Sequence, residues 1–138
     1  MKIAKIISGA LVILFVVTFT FPRLSAYDKN KRFKAYNPGL EPCSEIHRML
    51  NRKMKGFTVQ QQADYEQIVR YWLAGFGTAW NYIMQDTYDL AGNKTREQIW
   101  EWIDNFCQKN PNSKLVDAAI FLVHDLHPNR IREEPAKK

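Results

Sequence analysis

Two cysteines, Cys43 and Cys107, have the widest range of chemistry open to them in this chain. A cysteine acts as a nucleophile where a base and a positive environment favour its thiolate. His47 lies four residues after Cys43 and could supply that base from the same helical face. The cysteines form no CxxC motif and no cluster with zinc-ligand spacing. In an exported protein an even pair is typical of a disulfide, so we expect Cys43 and Cys107 to be bonded to each other.

A second group, His124, Asp125 and His127, could hold a metal ion at the end of a predicted helix. Zinc sites normally take three or four protein ligands, and the sequence ties no further ligand to this group. A histidine near a helix C-terminus is also favourable with the helix dipole. We therefore expect no metal site and no cofactor.

Three carboxylates, Glu97, Glu101 and Asp104, recur at steps of four and three and share one face of a predicted helix. Such a set could act as acid and base, but it lies opposite much of the apolar stripe, where a solvated face is the simpler interpretation. The chain has no G-x-S-x-G motif and no glycine-rich phosphate loop. We expect a protein that is not an enzyme.

The first 26 residues have the three parts of a secretory signal peptide. Lys2 and Lys5 precede an apolar run over residues 6–21, and the small residue Ala26 closes the segment. We expect cleavage after Ala26. The alternative is an uncleaved membrane anchor over residues 3–21, since a spanning helix needs about 20 apolar residues. Both interpretations predict that the rest of the chain is exported to the periplasm, with membrane association if the segment stays.

The exported part divides into three segments by composition. Residues 27–42 contain a turn signal and no apolar periodicity, which predicts an extended lead-in. Residues 43–127 form the predicted helical domain, and residues 128–138 a charged, mobile tail. After residue 26 the chain has only three more basic than acidic residues, and the basic ones cluster at its ends. Nucleic-acid binding would need a concentrated basic face, so we do not expect it.

Apolar residues recur at steps of three and four in four segments, which predicts an all-α bundle of about four helices. Two threonines, Thr58 and Thr95, precede a glutamine by three residues and predict capping boxes. Ser113 is the predicted cap of the fourth helix, which is apolar on most sides and should be central. The expected helices run from Pro42 to Met54, from Thr58 to about residues 84–88, from Thr95 to Asn110, and from Lys114 to Leu126.

The second helix contains two glycines, Gly75 and Gly77, inside the stretch LAGFGTAW. A glycine inside a helix costs about 1 kcal/mol relative to alanine. We expect close packing to be the reason for both. Gly75 and Ala79 lie four residues apart and would form a flat strip where another backbone can approach.

Four tryptophans are many for a bundle of this size, which cannot easily enclose all of them. We expect Trp100 in the core. Trp102, two residues later, must point elsewhere on the same helix. Tryptophans dominate interface hot spots, so Trp102, Trp72 and Trp80 are the predicted partner contacts.

Three stretches, CSEIHRML, YWLAGFGTAWN and IWEWIDNFCQKNPNSKLVDAAIFLVHDL, resemble the HdeA/HdeB-like family of small exported proteins. The shared pattern is a signal peptide, a first cysteine that opens helix one, and a second cysteine in a CxxNP context before the last helix. The resemblance covers about residues 43–126. It implies an all-helical periplasmic acid-stress chaperone with one disulfide. A weaker similarity is to the helical immunity proteins that neutralise type VI secretion amidases.

These resemblances imply a non-enzymatic, protein-binding module. Its partners would be unfolded client proteins in acid or one specific toxin. Alternatively, the protein could be an accessory subunit of a membrane or periplasmic complex. It could also form a homodimer. The expected change of charge in acid supports the chaperone interpretation. As its carboxylates protonate, the net charge of the exported part would rise toward about +20. Self-repulsion would then loosen the bundle and expose its aromatic residues.

Overall fold

The computed structural model describes residue 30 and residues 32–136. The predicted signal or anchor segment lies outside these residues. The chain divides into two units, and the fold described below belongs to the second, Lys34–Lys138. It consists of α1 (Cys43–Leu50), α2 (Val59–Ile83), α3 (Arg96–Lys109) and α4 (Leu115–Leu126), followed by a short 3-10 helix, His127–Asn129.

The described residues form four α-helices and no strand, which confirms the predicted fold class. None of these helices has the length and apolar character needed to cross a bilayer. The core gathers around α4, which buries residues on several sides, as its nearly continuous apolar sequence predicts. These buried residues of α4 are Leu115, Val116, Ala118, Ala119, Leu122, Val123 and Leu126.

Both threonine capping boxes are confirmed. The Thr58 hydroxyl accepts a hydrogen bond from the Gln61 backbone, and the Thr95 hydroxyl accepts one from Gln98. The predicted Ser113 cap is wrong, because α4 begins one residue later and Asp117 accepts from the Lys114 backbone N–H at 2.9 Å. The Ser113 carbonyl instead accepts from the backbone N–H of Cys43 at 2.7 Å. The turn before α4 therefore holds the start of α1.

Helix α1 ends at Leu50, four residues before the predicted end at Met54. Arg52 has a left-handed backbone, with φ of 54°. The backbone N–H of Lys53 bonds to the Arg48 carbonyl, and that of Arg52 to the Met49 carbonyl. This pair of bonds is a Schellman motif, which ends a helix by satisfying its last carbonyls.

The predicted lead-in is in part packed. Pro38 and Gly39 are buried, whereas Tyr36 is exposed. A Cβ atom on Gly39 would lie 2.5 Å from the Trp72 ring, so only glycine fits this contact with α2. The lead-in therefore contacts α2 at Gly39.

The start of the predicted tail is also held. The backbone of Ile131 exchanges hydrogen bonds with that of Asp89, and the Arg130 guanidinium donates to the Asp86 carbonyl at 3.1 Å. These contacts fasten the chain after α4 to the loop after α2. The expectation of a mobile tail therefore does not hold for Arg130 and Ile131.

Helix α2 is the longest helix and the least enclosed. Only Gln62 and Val69 of its residues are buried. Within the described part, its Cα atoms stay more than 8 Å from those of α3. This separation leaves one side of α2 facing a cleft and another facing solvent.

Candidate functional site

The disulfide between Cys43 and Cys107 is present, as predicted, and joins the first turn of α1 to the last turn of α3. Both cysteines are fully buried. Neither thiol is free, so neither is available as a nucleophile. The two cysteines therefore have a structural role, since their bond links α1 to α3.

A histidine–carboxylate pair adds to this junction. His47 Nδ1 lies 2.7 Å from an Asp104 carboxylate oxygen, and the Asn51 side chain donates to the same oxygen at 3.1 Å. Asp104 therefore faces α1, and the prediction that it belongs to a solvated face is wrong. Glu97 and Glu101 are exposed, as expected. Sequence reasoning missed the pair because its partners are 57 positions apart.

His124 and His127, near the end of α4, belong to no group of metal ligands among the described residues. Among the described residues, no three His, Cys, Asp or Glu side chains converge on one point. Burial lowers the pKa of His127, and the charges of Arg130, Arg132 and His124 lower it further. Its neutral form is therefore favoured near neutral pH.

The tryptophans named as partner contacts are all partly buried. Trp72 stacks on Phe76 with ring centroids 5.3 Å apart, and Trp80 lies 6.1 Å beyond Phe76. All three rings pack against the core while keeping an accessible edge. The predicted contact role of Trp72 and Trp80 stays a prediction.

Trp102 belongs to a small aromatic patch formed by α3 and α4. It stacks on Phe106 at 5.4 Å, and Phe106 contacts Phe121 of α4 at the same distance. Phe121 is 57% exposed. The expectation that Trp102 and Trp100 diverge agrees with the structure, since Trp100 instead lies beside Arg70 of α2.

One side of α2, here called the outer face, carries exposed apolar residues. Its residues recur at steps of three and four: Ile68, Tyr71, Gly75, Ala79 and Tyr82. Tyr82 is 91% exposed, Tyr71 70% and Ile68 55%. From Tyr71 to Gln85 the chain has no charged residue, and this run is the sequence signal for the face.

In the described part of the chain, the glycines of α2 have no close neighbour outside their own helix. A Cβ atom added to Gly75 or Gly77 would meet no described atom within 4 Å beyond the adjacent backbone of α2. The expected close packing at these glycines is therefore not found among the described residues. Gly75 leaves the outer face flat, and Gly77 leaves space in the cleft on the other side of the helix.

The cleft lies between α2, α3 and α4 and has a volume of about 490 Å³. It is half open to solvent and mainly apolar. The apolar side chains that line it include Leu73 and Phe76 of α2, Ile99 and Trp100 of α3, and Leu122 and Leu126 of α4.

Two arginines lie on the rim of the cleft. The Arg70 guanidinium lies 4.4 Å from the centroid of the Trp100 ring and pairs with Glu66 through Nε and Nη2. Arg96 also lines the cleft and forms no ion pair with any described residue. Hydrogen bonds to its own backbone and to Thr95 lower the pKa of Glu97, and Arg96 and Arg70 lower it further. Both arginines therefore lie near this one carboxylate.

The sequence alone did not predict the cleft, since its depth depends on the distance between α2 and α3.

Comparisons with protein-family models, with curated proteins and with solved structures found no match to this chain.

Proposed function

We propose that this protein is a non-enzymatic, exported protein that binds apolar segments of other proteins, and that it protects unfolding clients in acid in the periplasm. The outer face of α2 carries the proposal. Exposed apolar surface of this kind is typical of protein interaction sites. Tyrosines are enriched in interface hot spots, and Gly75 between them lets a client backbone approach α2 closely.

Acid would enlarge this surface. The exported part gains charge toward about +20 as its carboxylates protonate, and like charges then repel one another within a small bundle. The disulfide still holds α1 and α3 together. Helix α2, with two buried residues, is the helix we expect to separate first.

An aggregation assay tests the proposal. An acid-labile enzyme is brought to about pH 2 with a several-fold molar excess of the protein, and light scattering is recorded. We expect the wild-type protein to suppress scattering, and the Tyr71→Ser/Tyr82→Ser variant to lose most of that effect. Both tyrosines are exposed, so these substitutions should leave the fold intact.

Tyr36→Ser is the matched control, because Tyr36 is 67% exposed and lies outside α2. It should protect the client as well as wild type does. Unchanged aggregation with wild-type protein would refute the chaperone function. Equal protection by the α2 double variant would refute the role of the outer face.

A folded toxin is the second candidate partner. The outer face is already exposed in the folded bundle, which suits an immunity protein that engages one partner through a pre-formed surface. Such a complex forms at neutral pH, so a pull-down at pH 7 should recover one stoichiometric toxin. Recovery of none under several toxin-expressing conditions would count against this candidate.

A further inference from the structure

We propose that the cleft between α2, α3 and α4 binds an alkyl chain with a single anionic head group, of which a fatty acid carboxylate is the simplest example. The cleft shares Tyr71 with the outer face of α2, whereas Ile68, Gly75, Ala79 and Tyr82 of that face do not line it. Variants at Gly77 and Gly75 therefore distinguish this proposal from the protein-binding function.

The size and lining of the cleft fit such a ligand. Ligand pockets commonly have volumes of about 300–1,000 Å³, are mostly apolar, and often lie between the helices of a bundle. At about 490 Å³ this cleft is within that range. Its part between Arg70 and Asn81 spans about 16 Å along α2 at the rise of an α-helix. An alkyl chain of medium length can lie extended over that distance.

The charged residues of the cleft indicate at which end the anionic head group would bind. The Arg70 guanidinium lies over the Trp100 ring, Arg96 lines the same cleft, and guanidinium groups suit an anionic oxygen pair. Nη1 of Arg70 donates to no described residue, and Arg96 has no ion-pair partner among them. Asp89 lines the other end, next to Asn81, whose side-chain oxygen accepts from the Leu90 N–H at 2.8 Å. The head group should therefore lie at the arginines.

An alkyl chain fits the middle of the cleft better than a peptide does. The polar side chains that line the cleft are Gln67, Arg70, Tyr71, Thr78, Asn81, Asp89 and Arg96. Between Arg70 and Asn81, α2 contributes Leu73, Ala74, Phe76 and Gly77 to the lining, together with the hydroxyl-bearing residues Tyr71 and Thr78. A peptide would bring more backbone N–H and C=O groups to this stretch than two hydroxyl groups can pair with, which costs free energy. An alkyl chain has no such groups.

Calorimetric titration of the full-length protein with matched probes tests the site. The probes are dodecanoate, dodecyl phosphate, dodecanol and dodecyltrimethylammonium, each below the concentration at which it forms micelles. We expect saturable binding of the two anions at one site and binding of the alcohol about tenfold weaker. The cation should bind most weakly. The tighter of the two anions distinguishes a fatty acid from a phosphate-headed lipid.

Two pairs of variants locate the site. Gly77→Leu fills the cleft, whereas Gly75→Leu places the same side chain on the outer face, and both glycines have open space beside them. We expect the first to abolish dodecanoate binding and the second to leave it unchanged. Arg96→Gln should weaken dodecanoate binding about tenfold. Arg132→Gln, which removes an exposed arginine outside the cleft, should not.

Several results would overturn the proposal. These are no saturable binding of either anion to the wild-type protein, equal binding of dodecanol and dodecanoate, and dodecanoate binding that survives Gly77→Leu. Circular dichroism establishes that each variant is folded. Client protection by Gly77→Leu separates the two proposals, because loss of dodecanoate binding with protection retained concerns the cleft alone.

Discussion

Tyr65 connects α2 to the segment before α1 through its hydroxyl group, which interacts with the Glu41 carboxylate. Burial, the charge of Glu41 and a hydrogen bond to it raise the pKa of Tyr65 from 10 to about 12. The pKa in the folded state is thus above that of an unfolded tyrosine. The stability from Tyr65 is fully present below pH 10 and is lost as the pH rises to about 12. We expect Tyr65→Phe to flatten the alkaline decline of unfolding free energy, measured by urea denaturation.

Tyr82→Phe is the control for this titration, because Tyr82 is almost fully exposed. It should show the same alkaline decline as wild type. An unaltered decline in Tyr65→Phe would contradict the assignment. Glu41→Gln removes the negative charge and should move the pKa of Tyr65 back toward its ordinary value, as measured by ultraviolet titration.

Arg52 occupies a position that favours glycine. Its φ of 54° lies in the left-handed region, where a Cβ atom is unfavourable, and it ends α1 in a Schellman motif. We expect Arg52→Gly to raise the free energy of unfolding by about 0.5–1 kcal/mol in urea denaturation. Lys53→Gly, one residue later and without a positive φ, should lower it. Destabilisation by Arg52→Gly would contradict this explanation of the helix end.

At the scale of the helix, the glycines divide into two kinds. Gly75 and Gly77 lie inside α2 with open space beside them, so Gly75→Ala and Gly77→Ala should each raise the free energy of unfolding by about 1 kcal/mol. Gly39→Ala should lower it, since the added Cβ atom would clash with the Trp72 ring. Thermal and urea unfolding of the three variants measures these effects. If Gly75→Ala or Gly77→Ala destabilises, α2 has a close neighbour at that glycine.

Periodicity and capping residues predicted where most helices lie, because both signals are local in the sequence. Thr58 and Thr95 marked two helix starts correctly, and the Asn110-Pro111 pair marked the end of α3. The end of α1 was wrong, since apolar spacing continued to Met54 while Asn51 and Arg52 had already left the helix. The Ser113 cap was wrong because α4 begins one residue later, with Lys114 at the cap position and Asp117 accepting from its backbone N–H.

For the molecule as a whole, the candidate site was predictable only in part. The outer face of α2 follows from its uncharged sequence, because a helix repeats every 3.6 residues. The cleft does not, since it arises from the distance between α2 and α3 and from the side of α4 exposed there. The pair of His47 and Asp104 joins residues 57 positions apart, so local sequence patterns could not predict it either.

The disulfide should decide how the molecule behaves in acid. It closes a loop between positions 64 apart, which is worth about 4 kcal/mol in the chain-entropy model. A small domain has a total stability of about 5–15 kcal/mol, so loss of the bond removes a large share. We expect the reduced protein to lose about that amount in urea denaturation at pH 7. At about pH 2 the positive charges of the protein repel one another. Under these conditions the reduced protein should lose its remaining helical signal in circular dichroism, while the oxidised protein keeps part of it.

Reoxidation of the same sample is the control, because it restores the bond without changing any residue. A Cys43→Ser/Cys107→Ser variant, whose two substituted side chains are buried, should lose at least as much stability. Equal unfolding free energies of the reduced and oxidised forms would show that the loop is constrained by packing alone. Retention of the helical signal by the reduced protein in acid would show that α1 and α3 stay associated through their apolar contacts, in which case the disulfide is not what holds the acid form together.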